Sequence, residues 1–558
     1  MKETQEILDF CAKHGITADA EQKSGGEAPT ATATMSSATI TALLLLALVA
    51  LCNNVKQKLC HKTIKNKHNP LPLPPGPTPW PVVGSARAIL HKKPMFRWIH
   101  HLMKEMNTEI ACIRLGSTHV IPVTSPTIAQ EFLRKQDSDF ASRPVTMASG
   151  ILSSGYLTAA LSPYGEQWKK MRRVLVSEVV CPARHKWLHD KRAGEADNLV
   201  KYVFNLCKTS AHQVNLRTVT RHYSGNVTRR MMFNEIFWQD GGPTIDEEQH
   251  VDAIFNALYY LYAFCVSNYF PFLVGLDLDG HKKEVQESLR TLRRLHEPII
   301  SERIKQWRDD LSLECNEKEP QDLLDVLIML KDSQGKPLLT PQEVRAQTME
   351  IMMAAVDNPS NAVEWAMAEM INQPELLHKA TEEIDRVVGK ERLVQESDIP
   401  QLNYIKACAR EAFRLHPVAP FNVPLVALSD TVVAGHRIPK GSHILLSRVG
   451  LGRNPKIWDE PLKFKPDRHI MSDKAEVALT EPDLRFISFS TGRRGCIAAA
   501  LGTTMTVMLL ARLIQGFSWS KPSNLSSINL AEGRNDLFLA KPLVAQAELR
   551  LPSHLYLA

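Results

Sequence analysis

The chain has 558 residues, of which 44% are hydrophobic and 23% charged, an ordinary balance for a globular protein with a large core. Its ten cysteines are scattered, without a Cys-x-x-Cys pair or a histidine spacing suited to zinc. This argues against a disulfide scaffold and a zinc module, and it fits a reducing compartment. The net charge of +7 is mild, and no arginine-rich stripe with interleaved aromatic residues marks a nucleic-acid-binding surface.

The N-terminal part of the chain divides into segments of different composition. Residues 1–35 are polar, which predicts a disordered leader. Residues 36–55 are apolar, and five lysines follow between residues 56 and 67. By the positive-inside rule we expect an uncleaved membrane anchor helix whose C-terminal side stays in the cytoplasm. A cleaved signal peptide is the rival interpretation, but no good small-x-small cleavage site precedes a mature start.

Residues 56–79 continue from the lysines into a proline-rich run. Such a run forms neither a helix nor a central strand, and it adopts a stiff extended conformation. We therefore expect a basic and proline-rich hinge, followed by one globular domain at residues 80–558. No internal repeat or sharp composition shift marks a second domain.

A short helix is expected within residues 164–173, where Trp168 and Arg172 lie four residues apart and so share one face. A longer helix begins at Thr340, whose capping box with Glu343 and proline at the first helical position is a strong start. Its pattern runs for about 32 residues, to about Ile371.

The centre of the long helix is unusual. Pro359 removes a backbone donor and frees the carbonyl of Ala355, four residues earlier. We expect the helix to open there and to offer polar groups inside an apolar core.

A Gly- and Arg-rich loop near the C-terminus ends in Cys496 and leads directly into an apolar helical run at residues 497–515. Gly492 lets the backbone bend tightly, and Arg494 supplies a permanent charge for a carboxylate. The partial positive charge of a helix N-terminus lowers the pKa of a nearby cysteine, so this geometry would hold a thiolate. A cysteine outside such a motif would instead be read as a small buried hydrophobe.

The segment 489–498 resembles the haem-thiolate signature of the cytochromes P450, Phe-x-x-Gly-x-Arg-x-Cys-x-Gly. It matches at Phe489, Gly492, Arg494 and Cys496, with Ala498 in place of the last glycine. The resemblance implies the cytochrome P450 fold, mostly α-helical with a small β portion, and haem b as cofactor. Cys496 is then the iron ligand, and its sulfur favours O–O cleavage. The Trp-x-x-x-Arg pair of residues 168 and 172, together with Arg494, is expected to reach the haem propionates.

The resemblance extends to Glu411, Arg414 and Arg468, a buried cluster expected to lock the loop behind the haem. Two positions depart from the family pattern. Asp467 stands where glutamate is usual, and Leu425 stands where related sequences carry a basic residue that meets a propionate. We therefore expect the haem to be held somewhat more loosely than in a Leu425→His variant.

Most cytochromes P450 have an acid followed by threonine at the centre of the long helix, where this chain has Asp357 and Asn358. The run 357–365 is similar to the plant cytochromes P450 that N-hydroxylate amino acids to aldoximes, as are residues 417–424, 439–455 and 488–499. This implies two N-hydroxylations of an L-amino acid, followed by dehydration and decarboxylation. O₂ and electrons from NADPH, delivered by a flavoprotein reductase at the endoplasmic reticulum, are required. Asp357, Asn358 and Ser360 would organise water and the substrate's charged groups.

Substrate contacts are expected from residues 147–161, 259–272 and 418–426 and from the centre of the long helix. These segments are apolar, which favours phenylalanine and then a branched aliphatic amino acid. The aldoxime would feed cyanogenic glucoside, glucosinolate-like or volatile nitrogenous defence metabolism. Three alternatives stay open: a carbon hydroxylase of a small apolar metabolite, an O₂-independent haem-thiolate isomerase or dehydratase, and a haem-binding protein without turnover.

Overall fold

The computed structural model describes residues 71–557 except 82, 87, 89–91, 93, 210–211, 236–242, 309–318 and 473–474. The predicted leader (1–35), the anchor helix (36–55) and the first part of the hinge lie outside the described residues. The larger unit comprises residues 71–79 and 85–558; residues 80–84 belong to a separate unit, in which Trp80 and Gly84 exchange two backbone hydrogen bonds. The domain boundary at residue 80 stays a prediction.

Helices make up most of the described part of the larger unit. The α-helices are α1 (Met95–Glu105), α2 (Pro126–Gln130), α3 (Met147–Leu152), α4 (Glu166–Val174), α5 (Pro182–Trp187), α6 (His189–Thr209), α7 (Leu216–Phe233), α8 (Ile245–Tyr262), α9 (Val266–Tyr269), α10 (His281–Arg308), α11 (Leu323–Met329), α12 (Pro341–Ala354), α13 (Asp357–Asn372), α14 (Pro374–Val387), α15 (Asn403–Leu415), α16 (Arg448–Gly452) and α17 (Ala499–Gly516). Shorter π-helical turns lie at Glu131–Lys135 and Leu175–Val179, and 3₁₀ turns lie at Pro271–Leu273, Glu396–Gln401, Pro466–His469 and Ser553–Tyr556.

The strands are short and form three small sheets. They are β1 (Ile113–Leu115), β2 (Thr118–Val123), β3 (Gln213–Asn215), β4 (Leu425–Val426), β5 (Thr431–Val433), β6 (His436–Ile438), β7 (His443–Leu446), β8 (Phe517–Ser520) and β9 (Val544–Leu549). The largest sheet has the order β1-β2-β7-β4, with β2 and β7 parallel; the others are β3-β9-β8 and β5-β6. The predicted mostly α architecture with a small β portion is confirmed.

Helix α13 lies at the centre of the core and packs against α7, α15 and α17. Its residues are buried on nearly every face, and the buried ones include the polar Asp357, Ser360, Asn361, Glu364 and Glu369. The Trp365 side chain is fully buried; it stacks on His416 at 3.8 Å and donates a hydrogen bond to the Leu537 carbonyl. Helix α17 is also apolar enough to cross a membrane by composition, but 72% of it is buried in the protein. It is therefore a second core helix.

The proline-rich segment 71–79 is extended, as predicted, and it is tied to the core. The Pro72 and Pro75 carbonyls accept backbone hydrogen bonds from Arg437 and Cys112. A Cβ at Gly76 would lie 1.9 Å from the Cys112 carbonyl oxygen, so only glycine permits this close approach. This part of the hinge is thus fixed against the globular domain.

The long helix begins as predicted and is interrupted near its middle. Thr340 and Glu343 form the capping box, and the second half ends at Asn372 before the Gln373-Pro374 stop. The predicted opening is present as an interruption: α12 ends at Ala354, a turn follows at residues 355–356, and α13 begins at Asp357. The cause is the one expected, because Pro359 cannot donate to the Ala355 carbonyl.

Candidate active site

The cysteine loop is held by its own backbone and by close approach to a neighbouring segment. The Cys496 N–H donates to the Phe489 carbonyl (2.8 Å), and the Gly495 N–H donates to the Gly492 carbonyl (3.0 Å). Gly492 has φ +76°, and a Cβ there would lie 2.2 Å from the Leu133 carbonyl oxygen. Glycine is therefore required here both for conformation and for space.

Phe489, predicted to bind the cofactor, supports the loop from the core side. Its ring makes an edge contact with Phe413 on α15, at 5.8 Å between centroids. A Cβ on Gly502 of α17 would lie 2.9 Å from this ring. These contacts fix the first residue of the loop between two core helices, and a contact with haem stays a prediction.

The Cys496 side chain is exposed at its surface, yet enough protein surrounds it for burial to raise the pKa of its thiol. A side chain is both accessible and surrounded by protein if its sulfur faces an internal space rather than packed side chains. The expectation of a lowered pKa is wrong for the protein alone, because burial outweighs the Ala498 N–H and the charges of Arg172 and Arg448. Helix α17 also begins at Ala499, two residues later than expected. A coordinated metal deprotonates a thiol outright, so this sulfur would become a thiolate on binding iron.

Two guanidinium groups lie beside the Trp168 ring, and a third is near them. Arg172 follows Trp168 on one face of α4 and lies 5.7 Å from its ring centre, whereas Arg494 from the cysteine loop lies 4.6 Å from the same ring. Arg143 and Arg172 are both close enough to Arg494 to add to the effect of burial in lowering its pKa. The structure thus brings together the predicted residues 168, 172 and 494, and it adds Arg143.

The hydrogen-bond acceptors of these three arginines are neutral carbonyl groups. Arg172 donates to Gly495; the other acceptors are Ala160, Val423 and Pro424 for Arg143 and Ala141, Ala159 and Ser162 for Arg494. Among the described residues no carboxylate lies within 4 Å of these guanidinium groups, and nearby Glu350 is engaged by the backbone N–H groups of residues 159 and 160. A cluster of like charges is costly unless anions complement it. Two propionates are such anions, so the donor set fits haem.

The side chains of Glu411 and Arg414 are fully buried, and that of their partner Arg468 is 12% exposed. Its carboxylate accepts two hydrogen bonds from Arg414 (2.7 Å each), one from Arg468 (3.0 Å) and one from the Lys465 backbone (2.9 Å). His469, which the sequence-based reasoning missed, lies 2.8 Å away through Nε2. Despite burial, the hydrogen bonds from Arg414 and His469 lower the pKa of Glu411 to about 2.

The two arginines of this cluster also anchor the chain that precedes the cysteine loop. Arg414 donates to the carbonyls of Gly452, Pro461 and Lys463, and Arg468 donates to that of Asp459. Asp467, the departure from the family pattern, points away from the cluster and binds Lys379 on the surface. The predicted structural role of the cluster agrees with this geometry.

Leu425 lies on β4 and is 2% exposed, within an apolar cluster that includes Ile121, Ile444 and Leu446. It pairs with Ile444 of β7 in the sheet. Leu425 therefore supplies no cation for a propionate. Arg143 is an additional guanidinium that could take the place of the basic residue found here in related sequences. The predicted looser haem is untested.

The interruption of the long helix places polar groups in the core. Burial raises the pKa of Asp357 to about 7, and the charges of Arg448 and Arg221 oppose this rise. Asn358 is half-buried and donates to the Asp357 carboxyl (3.1 Å). Ser360 is buried, and its hydroxyl is within hydrogen-bond distance of the carbonyls of Val356 (2.8 Å) and Asp357 (3.0 Å).

The helix break and the cysteine loop share a charged neighbour, Arg448. Ala354, the last residue of α12, and Cys496 on the loop are both exposed, although each directly follows a buried residue. Arg448 is close enough to Asp357 and to Cys496 to lower the pKa of each. We expect a flat ligand bound by the Cys496 sulfur to lie near Arg448, between the loop and the helix break.

A cavity adjoins this region and draws its walls from three of the four segments predicted to contact substrate. Tyr262, on this wall, is close enough to Asp357, Arg448 and Arg143 for their charges to act on its pKa, which burial raises. The lining includes Ser149 and Leu161, residues 261–264, Asn268 and Tyr269, and residues 420–424. Most of these side chains are apolar or aromatic, as expected.

Sequence reasoning did not single out Arg143, Arg448 and His469, whereas Tyr262 lies within the segment 259–272 that was predicted to contact substrate. Arg448 lies within the stretch 439–455 that carries the resemblance, and His469 directly follows Arg468, so each could have been found by asking what its neighbours position. Arg143 carries no local signal, because its partners are far away in the chain.

Comparisons with known proteins found a matching family model, relatives and solved structures of similar fold. The family model described as Cytochrome P450 matches residues 74–546. The chain is 62% identical over 492 residues to the tyrosine N-monooxygenase of Sorghum bicolor, covering 87% of each chain. It is 58% identical over 490 residues to valine N-monooxygenase 1 of Manihot esculenta, covering 87% of this chain and 89% of that one. A solved zebra fish cytochrome P450, in a structure with progesterone, has a TM-score of 0.66 at 23% identity. That match covers 82% of this chain and 100% of the other, and it shows the fold alone.

Proposed function

The chain belongs to the cytochrome P450 family, and we propose that it is a haem-thiolate monooxygenase that N-hydroxylates a hydrophobic L-amino acid twice to give the corresponding aldoxime. The observation that carries this proposal is the high identity, over most of the chain, to N-monooxygenases named for amino acids as different as tyrosine and valine. The amino acids in these names differ in their side chains, whereas both relatives are named N-monooxygenases. We therefore extend the reaction to this chain, but not the identity of the amino acid.

Haem b is the proposed cofactor, and when bound it supplies the activation of O₂ and the oxidation of nitrogen. Cys496 would ligate the iron through its sulfur, held by the loop that Gly492 and Phe489 fix. Trp168, Arg172 and Arg494 would hold the propionates, with Arg143 as a further cation. The three arginines would then donate to carboxylates in place of carbonyl groups, and such charge-assisted hydrogen bonds are stronger.

Asp357, Asn358 and Ser360 are the proposed polar groups on the substrate side. A carboxyl with a pKa of about 7 can hold or accept a proton at neutral pH, so Asp357 suits both binding and deprotonation of the substrate's ammonium group. Asn358 donates to this carboxyl and fixes its orientation. The Ser360 hydroxyl donates its one hydrogen to the carbonyl of Val356 or of Asp357, at the start of α13. An Asn358→Ala variant that kept full coupling of NADPH use to oxime formation would refute this assignment.

The favoured substrate is L-phenylalanine, with a branched-chain aliphatic amino acid next. The cavity presents Leu161, Phe264, Tyr269 and Phe421, and its described walls place no carboxylate against a substrate side chain. An apolar side chain gains free energy on entering such a cavity, whereas a charged one would have to be desolvated.

We place the enzyme at the endoplasmic reticulum membrane, with residues 36–55 as a single-pass anchor and the catalytic domain in the cytosol. Electrons would come from NADPH through a flavoprotein reductase. The aldoxime is proposed to feed cyanogenic glucoside, glucosinolate-like or volatile nitrogenous defence metabolism.

The test is to supply the membrane-bound protein and a reductase with NADPH and each hydrophobic amino acid in turn, and to identify the product. An oxime that requires both NADPH and reductase supports the proposal. A product hydroxylated on carbon with its amino group intact would favour a carbon hydroxylase, and turnover without NADPH would favour an isomerase or dehydratase. Haem binding without any product would favour the third alternative, a haem-binding protein that does not turn over a substrate.

A further inference from the structure

The backbone of Arg448 is fixed against the wall of the substrate cavity. Arg448 opens α16, whose cap is the Ser447 hydroxyl, the acceptor for the Gly450 N–H (2.7 Å). The Arg448 N–H donates to the Pro420 carbonyl (2.9 Å), and Pro420 lines the cavity. The side chain therefore leaves the backbone at a defined place beside the cavity.

The Arg448 guanidinium has no fixed counter-ion. Its Nε is buried without a hydrogen-bond partner, and in the described part of the chain no carboxylate lies within 4 Å of it. Arg453, five residues later, shows the ordinary structural alternative, because it pairs with Glu532 and donates to the Leu415 carbonyl. A half-buried cation without an anion is costly, which indicates that its anion comes from elsewhere.

The groups around Arg448 belong to the site. Its positive charge acts to lower the pKa of Asp357, of Tyr262 in the cavity wall and of Cys496 in the loop. A free L-amino acid carries a carboxylate and an ammonium group on one carbon. A planar guanidinium binds a carboxylate through two parallel hydrogen bonds, and a carboxylate such as that of Asp357 accepts from an ammonium.

We propose that Arg448 binds the α-carboxylate of the substrate, while Asp357 faces its amino group and the side chain enters the cavity. The inference rests on the proposed function and names the residue that makes the enzyme select amino acids over amines. Holding the carboxylate at Arg448 fixes the orientation of the α-carbon, so that the amino nitrogen points toward Cys496. This orientation favours oxidation at nitrogen rather than at carbon.

The test compares two ligands that differ only in the carboxylate, L-phenylalanine and phenethylamine. Their equilibrium binding to the haem-loaded protein is measured by dialysis for the wild type, Arg448→Leu, Arg448→Lys and Arg437→Leu. Arg437 is a matched control, because it pairs with Asp430 at the surface. Loss of a charged hydrogen-bonding partner predicts that Arg448→Leu weakens phenylalanine binding roughly 10- to 100-fold. Phenethylamine binding should change less than about twofold, since it makes no such contact.

Arg448→Lys should recover part of the phenylalanine affinity, and Arg437→Leu should leave both ligands unchanged. Equal weakening of both ligands, no weakening of either, or loss of haem from Arg448→Leu would overturn the proposal. Oxime formation by the wild type is measured in the same preparation. If oxime forms while the ratio of the two affinities is unchanged in Arg448→Leu, this inference alone fails; if no hydrophobic amino acid yields an oxime, the proposed function fails.

Discussion

Replacing Glu411 by glutamine removes the only anion of its cluster with Arg414 and Arg468, as far as the described residues show. The substitution keeps the volume and one oxygen acceptor, but it leaves Arg414 and Arg468 without a negative partner. Because these arginines hold the carbonyls of residues 452, 459, 461 and 463, the chain leading to the haem loop loses its anchor.

The magnitude follows from the pKa of Glu411, which drops from its ordinary 4.5 to about 2. That difference corresponds to about 3 kcal/mol of folding free energy, and the side chain is fully buried, so solvent screening does not reduce it. Since the folded pKa is lowered, the contribution is complete above pH 4.5 and is lost as the pH falls toward 2. At neutral pH we expect Glu411→Gln to be destabilised by about 3 to 5 kcal/mol, the cost of breaking a buried pair.

The assay is urea unfolding of the haem-loaded protein at pH 7, followed by circular dichroism and by haem absorbance in parallel. The control is Glu166→Gln, which removes an exposed carboxylate paired only with Lys169 and should unfold as the wild type does. The Glu411 variant should unfold at lower urea and lose haem first. If Glu411→Gln unfolded at the same urea concentration as Glu166→Gln and kept its haem, the structural role assigned to the cluster would be wrong.

Three further outcomes are expected. Gly492→Ala should lower the haem-to-protein ratio, because the added Cβ would meet the Leu133 carbonyl. Gly335 has a similar positive φ but open space around it, so Gly335→Ala is the control and should keep the ratio. Equal ratios in the two variants would contradict the packing argument. The KM for the amino acid should fall as the pH rises through 7, since burial raises the pKa of Asp357 to about 7 and the ionised carboxylate accepts from the ammonium group; Asp357→Asn should abolish this dependence, and a variant that kept it would assign the titration elsewhere. Leu425→His should retain haem longer than the native protein during gel filtration, and equal retention would show that the other cations suffice.

Local signals predicted the parts of the site that depend on neighbouring residues. The capping box at Thr340 and the Gln373-Pro374 stop located both ends of the long helix, because caps and prolines act within one turn. The four-residue spacing placed Trp168 and Arg172 on one helix face, as the structure confirms. The opening of the helix near Pro359 was likewise a local backbone effect.

Features that depend on distant contacts could not be read from the sequence. Arg143 reaches Val423 and Pro424, about 280 positions away, and nothing within residues 140–146 indicates that destination. The pKa of Cys496 was predicted in the wrong direction because a helix N-terminus is visible in a sequence, whereas burial by the rest of the fold is not. His469 joined the Glu411 cluster for a similar reason, since its ring position depends on the 3₁₀ turn at Pro466–His469.

The most direct test of the account is the ferrous–CO absorption spectrum of the purified, haem-loaded protein, compared with that of Cys496→Ser. Thiolate ligation by Cys496 predicts a CO band strongly shifted to longer wavelength in the native protein and absent from the variant. Cys408→Ser, which changes a buried cysteine on α15, should keep that band. A native spectrum without the shift, or a Cys496→Ser variant that retained it, would contradict the assignment of Cys496 as the iron ligand.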